Sequence, residues 1–316
     1  MMVPAAGPGV PSRSEPPSAP REEWNSLSEL KEPLTRGLAQ LWDLDEVIWE
    51  GDTDYQHAVI ARTSQGVALF CDNDPQSTEL AQRHYHEALL VPALLLADRV
   101  ERVLAVGSSE GVISQMAVEA GAAHVDHVDI DREVVERCAL HLPYGYSADD
   151  LDRAVRGDGP VSMHYADGWE FVRRAASSGE PGYDVIVADL PGEREDAAQH
   201  NRLFGTEFLR LCASALREGG VVTSQVGCPT LWLNDMLRRA YDRFTDVFGT
   251  VFYYGSDEFD WAFLTGRADA VADPATRMTE RFPEISYRPR TLDAQALAAN
   301  SVLPYTIRRD LAADRT

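Results

Sequence analysis

The stretch VLAVGSSEGVISQMA, residues 103–117, decides the fold class of this chain. An apolar strand runs into Gly107, small and polar residues follow, and Gly111 opens an amphipathic helical pattern. The turn has neither the G-x-G-x-x-G spacing of a dinucleotide-binding loop nor the lysine of a phosphate-binding loop. It also carries an acid, Glu110, where a phosphate would be repelled. The stretch therefore predicts a strand, a tight turn and a helix around a ligand that is not a phosphate.

Strands and helices alternate through the rest of the chain. The predicted strands read RVLAVG, HVDHVDID, VSMHYAD, YDVIVADL and GGVVTSQV, with helical patterns between them. Their nearly continuous apolar character indicates a buried parallel sheet with helices on both faces, which is an α/β fold. The segment TVFYYGSDEFDWAFLTG adds two predicted strands around a polar turn.

Composition divides the chain into three predicted regions. Residues 1–21 are rich in proline and predict a disordered leader without the basic start and apolar core of a signal peptide. Residues 22–76 predict a small N-terminal domain, with a helix over residues 22–42 followed by short strands whose alternation suits an antiparallel sheet. Residues 77–316 form the predicted Rossmann-like domain, whose first helix is expected to begin at Ser77.

Charge and cysteine content exclude several classes of protein. A formal net charge of −22 argues against binding to nucleic acid or to an anionic membrane. The same charge suits a cationic substrate, although a solvated acidic surface explains it equally well. The four cysteines include no C-x-x-C pair, and His84 and His86 do not form a metal-binding pair, so no metal is expected. These features predict a cytoplasmic protein with reduced thiols.

The ends of the predicted strands carry the candidate site residues, because ligands of open parallel sheets bind outside the carboxyl ends of the strands. Asp129 follows Gly107 by about 20 positions, where a carboxylate accepts hydrogen bonds from both hydroxyls of a ribose. Asp131 is assigned to the N-cap of the next helix. Asp167 is placed to bind an adenine amino group, with Gly168 leaving room for the ring, although Asp167 would also suit a helix N-cap.

Together these turns predict a nucleoside without phosphates, most economically of the S-adenosylmethionine type. The fold class is then an α/β fold with a Rossmann-like sheet of the S-adenosylmethionine-dependent methyltransferase type and a small N-terminal antiparallel β-domain. Glu110 would face the charged tail of such a nucleoside. Asp189, at the end of the fourth strand, would act as a general base toward an attacking amine, or would hold the cation of that amine.

The order of these segments resembles the spermidine synthase family, the polyamine aminopropyltransferases, over nearly the whole chain after the leader. EGDTDYQHAVIA is similar to the family's E-G-x-T-x-Y-Q, and LFCDNDPQSTELAQRHYHEAL to its L-x-L-D-G-x-x-Q-x-T-x-x-D-E-x-x-Y-x-E-x-L. GSSEG takes the place of the family's G-G-G-D-G, and DID takes the place of its E-I-D. ADGWEFV follows the family's D-G-x-x-F. DLP, TSQVGCPTLW and NSVLPYTIRRDL match the family's D-x-x-D-P, Q-x-x-x-P/x-x-W and F-x-L-P segments in part.

The resemblance implies transfer of an aminopropyl group from decarboxylated S-adenosylmethionine to a small-molecule amine, with release of methylthioadenosine. It implies that Asp189 is the catalytic base and that Tyr85 and Gln225 lie near the amine. The residues implied to hold the nucleoside are Gln56, Gly107, Glu110, Asp129, Asp167 and Gly168. Family members often associate through the N-terminal β-region, so the resemblance also implies a homodimer.

The chain departs from the family pattern on the amine side. Ala81 and Gln82 replace an acidic pair, and the second aspartate of D-x-x-D is missing. These changes remove carboxylates expected to anchor a linear diamine, whereas Asp257, Glu258 and Asp260 offer new ones. Two alternatives therefore stay open. One is a methyltransferase, aminocarboxypropyl transferase or cyclase that uses intact S-adenosylmethionine, and the other is a non-catalytic paralogue that binds nucleoside or polyamine.

Overall fold

The structure of the chain, a computed structural model, describes residues 28–179, 182–194, 198–256 and 258–313. The predicted leader, residues 1–21, lies outside these ranges, and so does Asp257.

The N-terminal part of the described chain consists of two antiparallel sheets. A hairpin joins β1 (Ser28–Thr35) to β2 (Leu38–Leu44). A second sheet, in the spatial order β3-β4-β5-β6, is a meander. Its strands are β3 (Glu46–Asp52), β4 (His57–Thr63), β5 (Gly66–Cys71) and β6 (Asp74–Thr78).

The hairpin corrects the prediction of a helix over residues 22–42, which is wrong for the described residues from Ser28 onward. Leu30 and Trp42 lie opposite each other in the hairpin and pack, with Leu44, against the meander. The Trp42 ring meets Phe70 edge-on, with 5.3 Å between ring centroids. Tertiary packing of this one apolar face outweighs the local helical spacing of the leucines, because strand and helix propensities differ by little.

The first long helix begins later than the sequence predicted. Ser77 and Thr78 belong to β6, where they pair with Leu69 and Ala68. The helix α1 (Gln82–Leu96) follows, and the Thr78 hydroxyl accepts a hydrogen bond from the backbone N–H of Ala81. The predicted start of the helix at Ser77 is therefore wrong, because Ser77 and Thr78 end the strand β6 and the helix begins at Gln82.

The central sheet has the order β12-β13-β11-β10-β7-β8-β9, and β13 is antiparallel to both of its neighbours. Its strands are β7 (Arg102–Gly107), β8 (His124–Asp129), β9 (Val161–Tyr165), β10 (Tyr183–Asp189), β11 (Leu216–Gln225), β12 (Thr250–Gly255) and β13 (Ala262–Arg267). The pairs among β7 to β11 are all parallel. This sheet confirms the predicted α/β fold of the methyltransferase type.

Helices cover both faces of this sheet. The remaining helices are α2 (Val112–Glu119), α3 (Arg132–His141), α4 (Ala148–Arg156), α5 (Gly168–Ser177), a 3₁₀ helix (Gln199–Phe204), α6 (Thr206–Ala215), α7 (Asp235–Thr245), α8 (Pro274–Arg281), α9 (Ala294–Ala299) and α10 (Tyr305–Ala313). One apolar layer joins α1 and α2 to the sheet, and a second joins α5, α6 and α7 to the opposite face. None of the helices described is long and apolar enough to cross a membrane.

Chain order reverses between β7 and β10, and this reversal positions the site. From β7 the chain proceeds through β8 to β9 on one side, whereas β10 and β11 lie on the other. Gly107 and Asp189, the last residues of β7 and β10, are direct neighbours in the sheet. The carboxyl ends of the strands diverge at such a point and leave a crevice for a ligand.

A buried carboxylate ties α1 to the C-terminal part of the chain. Glu87 is fully buried and accepts hydrogen bonds from the Tyr287 hydroxyl, the backbone N–H groups of Arg290 and Thr291, and the Thr291 hydroxyl, at 2.7–3.0 Å. Because α1 also carries Tyr85, this network fixes one wall of the site.

Replacing Glu87 by alanine should lower the free energy of unfolding by about 3 kcal/mol, since several buried donors lose their acceptor. Urea denaturation measures the change. The exposed Glu280 on α8 provides a matched control, for which Glu280→Ala should change stability by less than about 0.5 kcal/mol. Equal effects of the two substitutions would contradict the proposed role of Glu87.

Candidate active site

One large cleft, with a volume of about 1060 Å³, lies between the N-terminal sheets and the carboxyl ends of β7 to β11. All of the site residues expected from the sequence line this cleft, although they come from distant parts of the chain. They are Gln56, Tyr85, Gly107, Glu110, Asp129, Asp167, Gly168, Asp189 and Gln225. The fold thus brings the whole predicted set to one place.

The centre of the cleft is a hydrogen-bonded pair of Tyr85 and Asp189. The Tyr85 hydroxyl donates to Asp189 Oδ1 at 2.6 Å. Burial, and then the Asp189 carboxylate, raise the pKa of Tyr85 well above its usual range, so the phenol stays protonated and acts as a donor. This bond engages Oδ1 of Asp189, whereas Oδ2 lies toward His86 on α1.

His86 lies beside this pair and was not assigned a role from the sequence, which considered it only as a metal ligand. Its Nδ1 lies 2.6 Å from the Gln82 carbonyl oxygen and must donate to it, because a carbonyl can only accept. Its Nε2 lies 3.8 Å from Asp189 Oδ2 and 4.0 Å from Glu110 Oε1, and has no hydrogen-bond partner among the described residues. The signal in the sequence was a polar pair, His86 and Glu87, directly before the apolar run of residues 88–96.

Glu110 faces the same centre from the turn after β7. Its side chain is buried, and burial raises the pKa of its carboxyl; nearby Asp189 also raises this pKa, whereas His86 lowers it. A carboxylate in this setting gains most from a cationic ligand, because a nearby positive charge favours the ionised form. That Glu110 faces a charged tail stays a prediction.

The turn of residues 107–111 brings β7 and β10 into close contact. Gly107 has φ +81°, and a Cβ atom there would lie 2.0 Å from the Asp189 carbonyl oxygen, so no other residue fits. Ser108 also adopts a left-handed conformation, with φ 64°, and its backbone N–H donates to that same carbonyl oxygen at 3.0 Å. The Ser109 hydroxyl donates to Asp129 Oδ2 at 2.8 Å.

Asp129, Asp131 and Gln56 line the part of the cleft that the sequence predicts to hold the nucleoside. Asp129 is buried, and burial is the main reason that its pKa rises to about 6. Asp131 caps α3 by accepting from the N–H of Val134, as the sequence predicted. Asp131 also accepts from the Gln56 amide at 2.9 Å and from the Thr53 hydroxyl at 2.7 Å, so it positions Gln56 at the cleft wall.

Asp167 takes the helix-cap role, one of the two that the sequence left open. Its Oδ1 caps α5 by accepting from the N–H of Glu170, and its Oδ2 accepts from Arg202. Both carboxylate oxygens are therefore engaged, although Asp167 also lines the cleft. A Cβ atom on Gly168 would lie 2.6 Å from Val106, so the glycine allows α5 to approach β7 closely.

Aromatic residues and Gln225 line the part of the cleft where the family resemblance implies the amine. The rings of Phe259 and Trp261 are stacked 4.8 Å apart, and Trp261 meets Tyr85 edge-on. Trp232 also lines the cleft and is half exposed. Gln225, which ends β11, has a buried Oε1 atom with no hydrogen-bond partner in the part of the chain that the structure describes. Such an orphaned acceptor is suited to an N–H donor of a ligand.

The loop after Asp189 lacks the second aspartate of the D-x-x-D pattern. Gly192 takes that position in the sequence, and the next acid, Glu193, forms ion pairs with Arg239 at 3.1 Å and Arg243 at 2.9 Å, both on α7. Both carboxylate oxygens of Glu193 therefore serve to attach the loop to α7 rather than to bind a ligand.

Comparison with known proteins agrees with this geometry. The profile of the spermine/spermidine synthase domain matches residues 82–254. A polyamine aminopropyltransferase of Hyperthermus butylicus is 32% identical over 278 residues, which is 84% of this chain and 84% of that protein. A polyamine aminopropyltransferase of Pseudomonas syringae pv. tomato is 29% identical, over 72% of this chain and 76% of that protein.

Solved structures show the same fold. A crystal structure of spermidine synthase in complex with the transition-state analogue AdoDATO superposes with a TM-score of 0.77 at 21% identity, covering 95% of this chain and 98% of that one. The spermidine synthase of Thermotoga maritima superposes with a TM-score of 0.74 at 21% identity, covering 94% and 97%. With the family profile and the sequence relatives, the conclusion is that this chain belongs to the spermine/spermidine synthase family.

Proposed function

We propose that this protein is a polyamine aminopropyltransferase, which transfers an aminopropyl group from decarboxylated S-adenosylmethionine to an amine and releases methylthioadenosine. The observation that carries the proposal is the grouping of Asp189, Tyr85, His86 and Glu110 at the point where the strand order reverses. Family membership makes this reaction class the first choice.

The charge of the cleft supports cationic substrates. Among the described residues, ten carboxylates and two arginines line the cleft. A cleft lined by one sign of charge concentrates the field and attracts ligands of the opposite sign. Buried polar atoms without partners, His86 Nε2 and Gln225 Oε1, are suited to the N–H groups of such ligands.

In the proposed reaction the amine nitrogen bonds to the methylene carbon beside the sulfonium sulfur. The carbon–sulfur bond breaks, and its electron pair stays on the sulfur of methylthioadenosine. Asp189 accepts the proton that the nitrogen loses, through the oxygen that Tyr85 does not engage. Because a thioether leaves without protonation, the protein contributes positioning and proton acceptance rather than an acid.

On the nucleoside side, we assign Asp129 to the ribose, Gln56 and Asp167 to the wall around the nucleoside, and Gly107 and Gly168 to the close approach of backbone and ligand. Glu110 and His86 would hold the aminopropyl nitrogen, because both face the space beside Asp189. Tyr85 and Gln225 would lie beside the acceptor amine. The cytoplasmic location and the homodimer stay predictions.

Replacing Asp189 by asparagine should lower kcat/KM by about 10²- to 10⁴-fold, because the variant cannot accept a proton. Release of methylthioadenosine from decarboxylated S-adenosylmethionine in the presence of an amine panel measures the rate. Asp152→Asn, which removes an exposed carboxylate from α4, is the matched control and should leave the rate unchanged. Full activity of Asp189→Asn would exclude Asp189 as the base.

The second candidate reaction uses intact S-adenosylmethionine, and nucleoside affinities separate it from the first. The protein should bind decarboxylated S-adenosylmethionine about 100-fold more tightly than the intact form, because Glu110 would repel the additional carboxylate. Glu110→Gln should reduce this preference. The affinity for methylthioadenosine, which carries neither the amino group nor the carboxylate of the tail, should stay nearly unchanged. Calorimetry measures all three affinities, and tighter binding of the intact nucleoside would favour the second candidate.

A further inference from the structure

Asp74, the first residue of β6, is an acid of the cleft wall that the sequence comparison did not single out. It occupies a variable position of the family pattern L-x-L-D-G-x-x-Q-x-T. Its side chain is exposed and forms part of the cleft wall, together with Tyr85 and Trp261. A carboxylate that water can reach inside a cleft of this size is available to a ligand.

The surroundings of Asp74 favour a cation. Glu32 approaches from β1, and its carboxylate accepts from the Trp42 indole N–H at 2.7 Å. Asp72, on the turn before β6, is engaged by Arg194 at 2.9 Å, and Gln76 donates to Asp74 Oδ2 at 3.2 Å. Although water reaches Asp74, the protein walls of the cleft displace much of its hydration. This desolvation, with the charges of Glu32 and Asp72, raises the pKa of Asp74 to about 6, while Gln76 and Arg194 lower it.

The D-x-x-D segment of this chain offers no free carboxylate to a second ammonium group. Gly192 supplies no carboxylate at the second position of that pattern, and Glu193 is held by Arg239 and Arg243. A diamine that presents one nitrogen to Asp189 therefore has its second ammonium group without the expected partner. Asp74 supplies a carboxylate in the same cleft and lies near this loop, because Arg194 of the loop pairs with Asp72, two residues before Asp74.

We propose that Asp74, supported by Glu32, binds the second ammonium group of the amine acceptor and selects acceptors that carry two or more cationic nitrogens. This inference rests on the proposed function, because it assumes that Asp189 receives the reacting amine. The carboxylate that determines acceptor specificity would then be the first residue of β6 rather than a residue of the loop after β10.

The test compares acceptors that differ only in the second nitrogen. Diamines from 1,3-diaminopropane to 1,8-diaminooctane are measured beside the monoamines of the same length, as substrates or as competitive inhibitors. Asp74→Asn should raise the KM of the preferred diamine tenfold or more, with kcat changed by less than about threefold, because one charge pair is lost while the reacting centre stays intact. The constants for monoamines should not change, and this result also serves as the control for folding.

The pH dependence provides a second readout. As pH falls through about 6, Asp74 takes up a proton and loses its charge, so the ratio of diamine to monoamine KM should rise in the wild-type protein. Asp74→Asn should remove this rise. Using the ratio cancels the titration of the reacting amine and of Asp189, which affects both acceptors equally.

A gain-of-function variant tests the same inference from the other direction. A Cβ atom on Gly192 would have Met236 Sδ as its nearest neighbour, at 4.0 Å, so aspartate fits there. Gly192→Asp in the Asp74→Asn background should restore the preference for diamines. Asp43→Asn and Glu29→Gln, which remove exposed carboxylates from the β1–β2 hairpin that carries Glu32, should leave the preference of the wild-type protein for diamines unchanged.

The outcomes separate this inference from the proposed function. An unchanged diamine KM in Asp74→Asn, with transfer still occurring, would overturn the role of Asp74. A raised KM in Asp260→Asn alone would place the anchor at the turn between β12 and β13 instead. If no amine accepts an aminopropyl group, the proposed function fails, and calorimetric binding of the diamine in the presence of methylthioadenosine then decides the role of Asp74.

Discussion

The contact between Gly107 and Asp189 is the constraint on which the rest of the site depends. The left-handed conformation of Gly107 brings its Cα against the Asp189 backbone, where a Cβ atom would collide with the carbonyl oxygen. That carbonyl oxygen also accepts from the N–H of Ser108, so the turn after β7 and the end of β10 form one unit. The candidate base and the loop for the nucleoside are therefore fixed relative to each other by backbone geometry, before any side chain contributes.

Side chains then surround this unit from three directions. The helix α1 contributes Tyr85 and His86 and is itself held by the buried Glu87, while β8 contributes Asp129. The N-terminal sheets close the cleft on the remaining side. Carboxylates crowded into a partly buried cleft repel one another and lose hydration, so the empty site carries an electrostatic cost that a cationic ligand relieves.

The sequence predicted the central sheet well, and it named candidate site residues that the fold brings to one cleft, for a physical reason. Parallel strands are apolar throughout, and their carboxyl ends meet at one edge, so residues such as Asp129 and Asp189 can be placed together without coordinates. The hairpin of β1 and β2 was misread as a helix because its leucines also suit helical spacing. His86 was overlooked because its Nδ1 contact within α1, which aims Nε2 at two carboxylates, is invisible in a linear pattern.

By itself the sequence determined the strand–helix alternation, the tight turn after β7 and the family, since these depend on local periodicity and on motifs in a fixed order. Only the tertiary structure decided which acids are available to a ligand. Glu193 is held by two arginines of α7, whereas Asp74 is exposed at the cleft wall. The reason is that a carboxylate binds whatever donor lies nearest in space, and that neighbour is set by packing between distant segments rather than by adjacent residues.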